Sequence, residues 1–196
     1  YVLRYKQKSD DSLKTNFDKI PILIRKTTKE YGNGLEGKSF FNYINKSDKK
    51  KYSFLPMHSY WRGNDDRVLF YDLLNKKDFK FSEYPYFYYK NLNEILLEIN
   101  SSKFTIAMRY HSHIFSLGLK KPFLSIDYTG PNGKVSNFNN QINNQSYFKI
   151  SKFDEEYYSE KLNQIEKNYE NISKKLDYES KKLSNLLNNC YAYFWK

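Results

Sequence analysis

An α/β fold built on a parallel sheet is predicted by three observations. Short apolar runs alternate with amphipathic helical stretches along the chain. Phe104 to Ala107 is a short apolar run interrupted only by Thr105, as suits a strand covered on both faces. Cations and imidazoles stand directly after such runs, at the strand ends where open α/β sheets bind ligands. The pattern holds about five strands, one Rossmann-like sheet flanked by helices.

The elements follow in order. Tyr1 to Tyr5 reads as a first strand, with Arg4 at its carboxyl end. Phe17 to Tyr31 has helical spacing through Phe17, Ile20, Leu23 and Ile24, with Pro21 suited to a first turn, and Gly32-Asn33-Gly34 breaks it. Glu36 to Ile44 predicts a second helix with Phe40, Phe41 and Ile44 inward. Tyr52 to Leu55 is the next strand, ending in Pro56-Met57-His58. Asp65-Asp66 then opens a helix, where acidic side chains suit the positive terminus. Phe79 to Phe81 reads as a short strand and Glu83 to Lys90 as an aromatic run. Asn91 to Asn100 is amphipathic, with Leu92, Ile95, Leu96 and Ile99 buried.

The centre of the pattern is Lys103 to Asp127, which reads as strand, sharp turn, helix and strand. Arg109 and His111 stand at the turn, one an obligate cation and the other able to donate a proton near neutral pH. His113 lies on another face of the helix and is read as a packing residue. A turn-rich loop, Thr129 to Val135, carries Lys134 at its exit. Tyr147 to Ile150 is a last strand. Asp154 to about Asn188 is a long helical region, broken once, with an apolar stripe at Leu162, Ile165, Tyr169, Ile172, Leu176, Leu183 and Leu187. Residues 1–152 are thus assigned to the α/β domain and residues 153–196 to a C-terminal helical extension packing on it.

Composition narrows the partners. The chain has 196 residues and a formal charge of +11, which favours anions: nucleic acid, anionic membrane, phosphorylated substrates or polyanionic glycans. It begins at Tyr1 rather than Met, as a piece of a longer protein would. Its lone Cys190 excludes an internal disulfide and fits a reducing compartment. No Gly-rich phosphate loop and no GxSxG elbow occurs. One cysteine and three histidines give no conventional structural zinc site. What remains is a set of cations and imidazoles at strand ends: Arg4, His58, Arg109, His111 and Lys134. Such a set suits a substrate bearing phosphate or carboxylate.

Met108 to Tyr128, MRYHSHIFSLGLKKPFLSIDY, resembles the signature of the polysaccharide pyruvyl transferase family through Arg109, His111, Ser112, Ile114, Pro122, Ile126 and Tyr128, with Lys134 after it. Phe54 to His58 with Asp65-Asp66 is similar to the family's strand–Pro segment, and Val2-Leu3-Arg4 to the strand that opens its C-terminal domain. Tyr110 stands where the family commonly has Leu, and the loop before Lys134 is longer than usual.

The resemblance implies one half of a GT-B-like two-domain enzyme, with the N-terminal domain before Tyr1. It implies transfer of the pyruvyl group of phosphoenolpyruvate onto a sugar of a cell-surface polysaccharide or its lipid-linked precursor, as a cyclic ketal. His111 would be the catalytic acid, and Arg4, Arg109, Tyr110, His58 and Lys134 would bind substrate. No metal or organic cofactor enters the scheme. The location implied is cytoplasmic, with peripheral association at the inner face of the membrane as an option, and no specific nucleic-acid partner. Two other readings remain open on the sequence: a GT-B-like glycosyltransferase using a nucleotide sugar, and a non-enzymatic basic module that binds anions.

Overall fold

Alternate residues of each strand point to opposite faces of the sheet, and here both faces are covered. The computed structural model describes residues 19–25, 38–47, 52–58, 66–67, 69, 92–130 and 132–194. The elements are β1 (Ile20–Leu23), α1 (Lys38–Lys46), β2 (Tyr52–Phe54), α2 (Leu92–Ser101), β3 (Thr105–Ala107), α3 (Tyr110–Gly118), β4 (Phe123–Asp127), α4 (Lys134–Gln141), β5 (Tyr147–Lys149), a 3₁₀ turn (Ile150–Lys152), α5 (Glu155–Lys167) and α6 (Tyr169–Phe194). Asp66, Arg67 and Leu69 are also helical.

The five strands are all parallel and lie in the order β2-β1-β3-β4-β5. This is a Rossmann-like, doubly wound arrangement, and the order reverses between β1 and β3. Ile22, Ile106, Leu124 and Ile126 pack on one face with Phe40 and Ile44 of α1 and with Tyr158 and Ile165 of α5. Leu23 packs on the other face with Ile95, Leu96 and Ile99 of α2 and Phe115 of α3. Ala107 and Phe123 join Leu117, Phe138 and Ile142, and Leu176 of α6 closes that cluster. Each fully buried Leu or Ile among them contributes about 1.5–3 kcal/mol.

Several sequence expectations are corrected. The stretch expected as helix from Phe17 to Tyr31 contains β1 instead. Ile20 to Ile24 is a continuous apolar run, the mark of a strand buried on both faces. Pro21 is tolerated because pairing with β3 begins only at Ile22. Leu92, expected inside, is 41% exposed at the start of α2. Leu187, expected on the apolar stripe, is 48% exposed. The long helical region is broken once, at Asn168 between α5 and α6. The expected strand at Tyr1 to Tyr5, Arg4 itself, the glycine break at residues 32–34, the strand at 79–81 and the aromatic run at 83–90 lie outside the described residues.

Helix α6 braces α3 from behind. Ser173 Oγ donates to the Lys120 carbonyl at 2.8 Å, and Lys120 Nζ lies 2.6 Å from Asp177. No described helix is long and apolar enough to cross a membrane.

Candidate active site

The site begins at the carboxyl ends of β1 and β3, the two strands flanking the reversal in strand order. The Leu23 carbonyl at the end of β1 accepts the N–H groups of both Met108 (3.0 Å) and Arg109 (3.1 Å). The chain then turns, with Arg109 as the N-cap residue of α3 in extended backbone. Its carbonyl accepts the Ser112 N–H at 2.9 Å and is also bonded by the Ser112 hydroxyl and by His113 Nδ1 at 2.9 Å. A carbonyl only accepts, so His113 carries its proton on Nδ1. Its Nε2 therefore accepts from Ser125 Oγ at 2.7 Å. Ser125 accepts in turn from Asn139 Nδ2 at 2.7 Å, and Asn139 Oδ1 accepts from Asn144 at 2.8 Å. Burial holds His113 down at about 4, against the partial opposition of its bond to Arg109 and the Asp127 charge.

The Arg109 side chain leaves this pinned backbone and meets Asp66. Its Nε lies 3.1 and 3.0 Å from the two Asp66 carboxylate oxygens, and Nη2 bonds Oδ1 as well. Asp66 Oδ2 also accepts the backbone N–H groups of Met57 (3.1 Å) and His58 (3.0 Å), and the Asp66 N–H donates to the His58 carbonyl (2.8 Å). Arg109 keeps 15% of its side chain exposed, and Asp66 none. Burial pushes the Asp66 carboxyl up, while the guanidinium and the two backbone N–H groups pull it down. Arg109 cannot release its proton, so the cation persists beside a carboxyl that burial leaves above its usual range.

Three neighbours complete the edge. Arg25, just past β1, donates from Nη1 to the Tyr128 hydroxyl at 3.3 Å, and its guanidinium carbon lies 4.8 Å from the Tyr128 ring centroid. His111 is exposed in the first turn of α3, its ring 6.2 Å from that of Tyr110. Lys134, exposed at the start of α4, sets its ammonium 5.4 Å from the centre of the same Tyr110 ring. Asp127 braces the loop between: Oδ1 accepts the N–H and hydroxyl of Thr129 (2.9 and 2.6 Å), and Oδ2 accepts from Ser136. Gly133 is required at the loop's end, because a Cβ there would stand 2.0 Å from Thr129 Oγ1.

This edge carries Arg25 and Arg109 at a topological switch point, with Asp66 balancing the Arg109 charge, and Lys134 beyond β4. It can hold a compact oxyanion and present an exposed imidazole to it. A hollow of ≈ 600 Å³ lined by Lys103 and residues 166–171 lies at the other, amino edge, and none of these residues takes part. Among the described residues no group of His, Cys, Asp and Glu is placed to hold a metal ion.

The family model for polysaccharide pyruvyl transferases matches residues 4–130. The chain belongs to the polysaccharide pyruvyl transferase family. It is therefore a transferase, of a family that carries pyruvyl groups to polysaccharide. No curated protein and no solved structure matches the chain.

In this pyruvyl transferase the matched stretch runs from before β1 to just past β4, so it includes His58, Asp66, Arg109, Tyr110 and His111, while Lys134 follows it. The structure brings Arg109 and the His58 backbone together on Asp66, and Tyr110 together with His111 and Lys134. Arg4 lies outside the described residues. Arg25, not singled out from the sequence, stands just past the carboxyl end of β1. Asp66 was read as a helix-terminus charge; its carboxylate turns instead to Arg109 and to the backbone of residues 57 and 58. The signal for Arg25 was available: it follows an apolar run directly, as Arg109 does.

Proposed function

We propose that this chain binds phosphoenolpyruvate at the edge formed by β1 and β3. Its pyruvyl group passes, as a cyclic ketal, to a sugar of a cell-surface polysaccharide or a lipid-linked precursor. The observation that carries this reading is the placement of Arg109 at the switch point, with an exposed imidazole two residues on. Phosphoenolpyruvate bears a phosphate and a carboxylate, and planar guanidinium forks match such groups. Arg109 and Arg25 take those two anions, and Arg4 remains a candidate ligand of the same substrate. Lys134 and the His58 loop stand on the same edge of the sheet, with the Lys134 ammonium over the Tyr110 ring.

His111 acts as general acid. It gives a proton to the methylene carbon of the enol, leaving an oxocarbenium-like centre at the next carbon. One sugar hydroxyl adds there and gives up its proton. A second hydroxyl then displaces inorganic phosphate, closing the ketal. The developing charge is met by side chains and by the N-terminus of α3, so the scheme needs neither metal nor organic cofactor. A second Rossmann-like domain, in a GT-B-like arrangement, closes over the edge and supplies most acceptor contacts. The work takes place in the cytoplasm, at the inner face of the membrane where a lipid-linked acceptor stands.

The test is pyruvate transfer from phosphoenolpyruvate by the full-length protein carrying Arg109→Ala or His111→Ala. Both variants are expected to lose transfer while keeping the wild-type far-UV circular dichroism. Normal turnover in both would refute the roles given to these residues.

A further inference from the structure

We infer that Asp66 is a positioning residue of the anion site: it fixes the plane of the Arg109 guanidinium and ties that group to the His58 loop. The inference rests on the phosphoenolpyruvate reading above. Asp66 is wholly buried, yet nothing apolar explains a carboxylate there. Each of its oxygens is spoken for. Oδ1 meets Nε and Nη2 of Arg109; Oδ2 meets Nε and the N–H groups of Met57 and His58. The Asp66 N–H closes a second bond to the His58 carbonyl. One carboxylate thereby joins three parts of the edge: the loop after β2, the helical turn at residue 66, and the N-cap of α3.

Two physical effects of removing the Asp66 charge have opposite signs. By charge alone, losing a negative group beside Arg109 raises the local positive potential and tightens the binding of any anion. By orientation, a guanidinium released from its fork partner no longer holds a fixed plane. Bidentate binding of a planar carboxylate or phosphate depends on that plane. Phosphoenolpyruvate, with two anionic groups at fixed separation, needs the geometry. Inorganic phosphate, small and nearly symmetric, needs mainly the charge.

The experiment measures the affinity of the full chain for phosphoenolpyruvate and for inorganic phosphate by calorimetry, in wild type, Asp66→Asn and Asp66→Glu. Circular dichroism melts establish that each variant is folded at the temperature used. Asp66→Asn removes the charge and keeps the size, whereas Asp66→Glu keeps the charge and displaces it by one methylene. Both variants are expected to lose about tenfold or more in phosphoenolpyruvate affinity, with phosphate affinity changed by less than about threefold. A folded variant that binds phosphoenolpyruvate as well as or better than wild type overturns the inference. So does failure of both variants to fold, since Asp66 would then serve the fold and not the site. Wild type that binds neither compound brings down the phosphoenolpyruvate reading itself, and this inference with it.

Discussion

His113 makes the stability of this protein depend on acid in a calculable way. Its ring is fully buried, and burial holds it neutral with a folded value of about 4, below the usual 6.5. In the unfolded chain it binds a proton near 6.5. The unfolded state therefore holds more protons between these two values. His113 contributes its full stabilisation above about pH 6.5 and loses it as pH falls toward about 4. Each unit is worth about 1.4 kcal/mol, so the loss across the window is about 3 kcal/mol, out of the roughly 5–15 kcal/mol a domain commonly has. The Asp127 carboxylate and the Arg109 carbonyl work against this shift and are the groups that moderate it. Urea unfolding of wild type and His113→Gln at several pH values between 7.5 and 4 isolates the effect. Gln cannot titrate, so wild type should lose about 3 kcal/mol relative to the variant between pH 7.5 and pH 4, enough to cancel or reverse its advantage. At pH 7.5 the variant should be less stable by about 1–3 kcal/mol, from imperfect satisfaction of Ser125 and the Arg109 carbonyl. A difference that stays constant across the window would refute a neutral, buried His113.

Two further outcomes follow from local geometry. Gly133→Ala drives a methyl group into Thr129, whose side chain Asp127 already holds; the expected loss is about 1–3 kcal/mol in urea unfolding, from overpacking alone. Asp154→Ala removes the side-chain acceptor 2.7 Å from the Tyr157 N–H at the start of α5, costing about 1 kcal/mol by the same measurement.

The parallel sheet was legible because β3 and β4 are short, apolar and bounded by clear helical and turn signals. β1 was not, because Phe17, Ile20, Leu23 and Ile24 imitate a helical period over a short span, and only pairing on both sides reveals the strand. α4 escaped notice because its Asn-rich segment has little helix propensity. Burial of Val135, Phe138 and Asn139 holds it in place instead. At the candidate site, Arg109 and His111 could be read from their place after a strand. The separation of His111 from His113 could be read from the turn of a helix, and the structure leaves one exposed and buries the other. Asp66 could not be read this way. A helix-terminus role accounted for it locally, and its partner lies 43 residues on. Arg25 was hidden by the same misreading that hid β1.

The shared carbonyl of Leu23 bears on the entropy of ligand capture. By accepting from Met108 and Arg109 together, it welds the ends of β1 and β3 into one stiff unit. Fixing the backbone of a single residue costs about 1–2 kcal/mol, and at this crevice that cost is incurred when the chain folds. The anion proposed to bind between the two strand ends would meet a backbone already frozen. Its binding enthalpy then goes into affinity instead of into ordering the main chain.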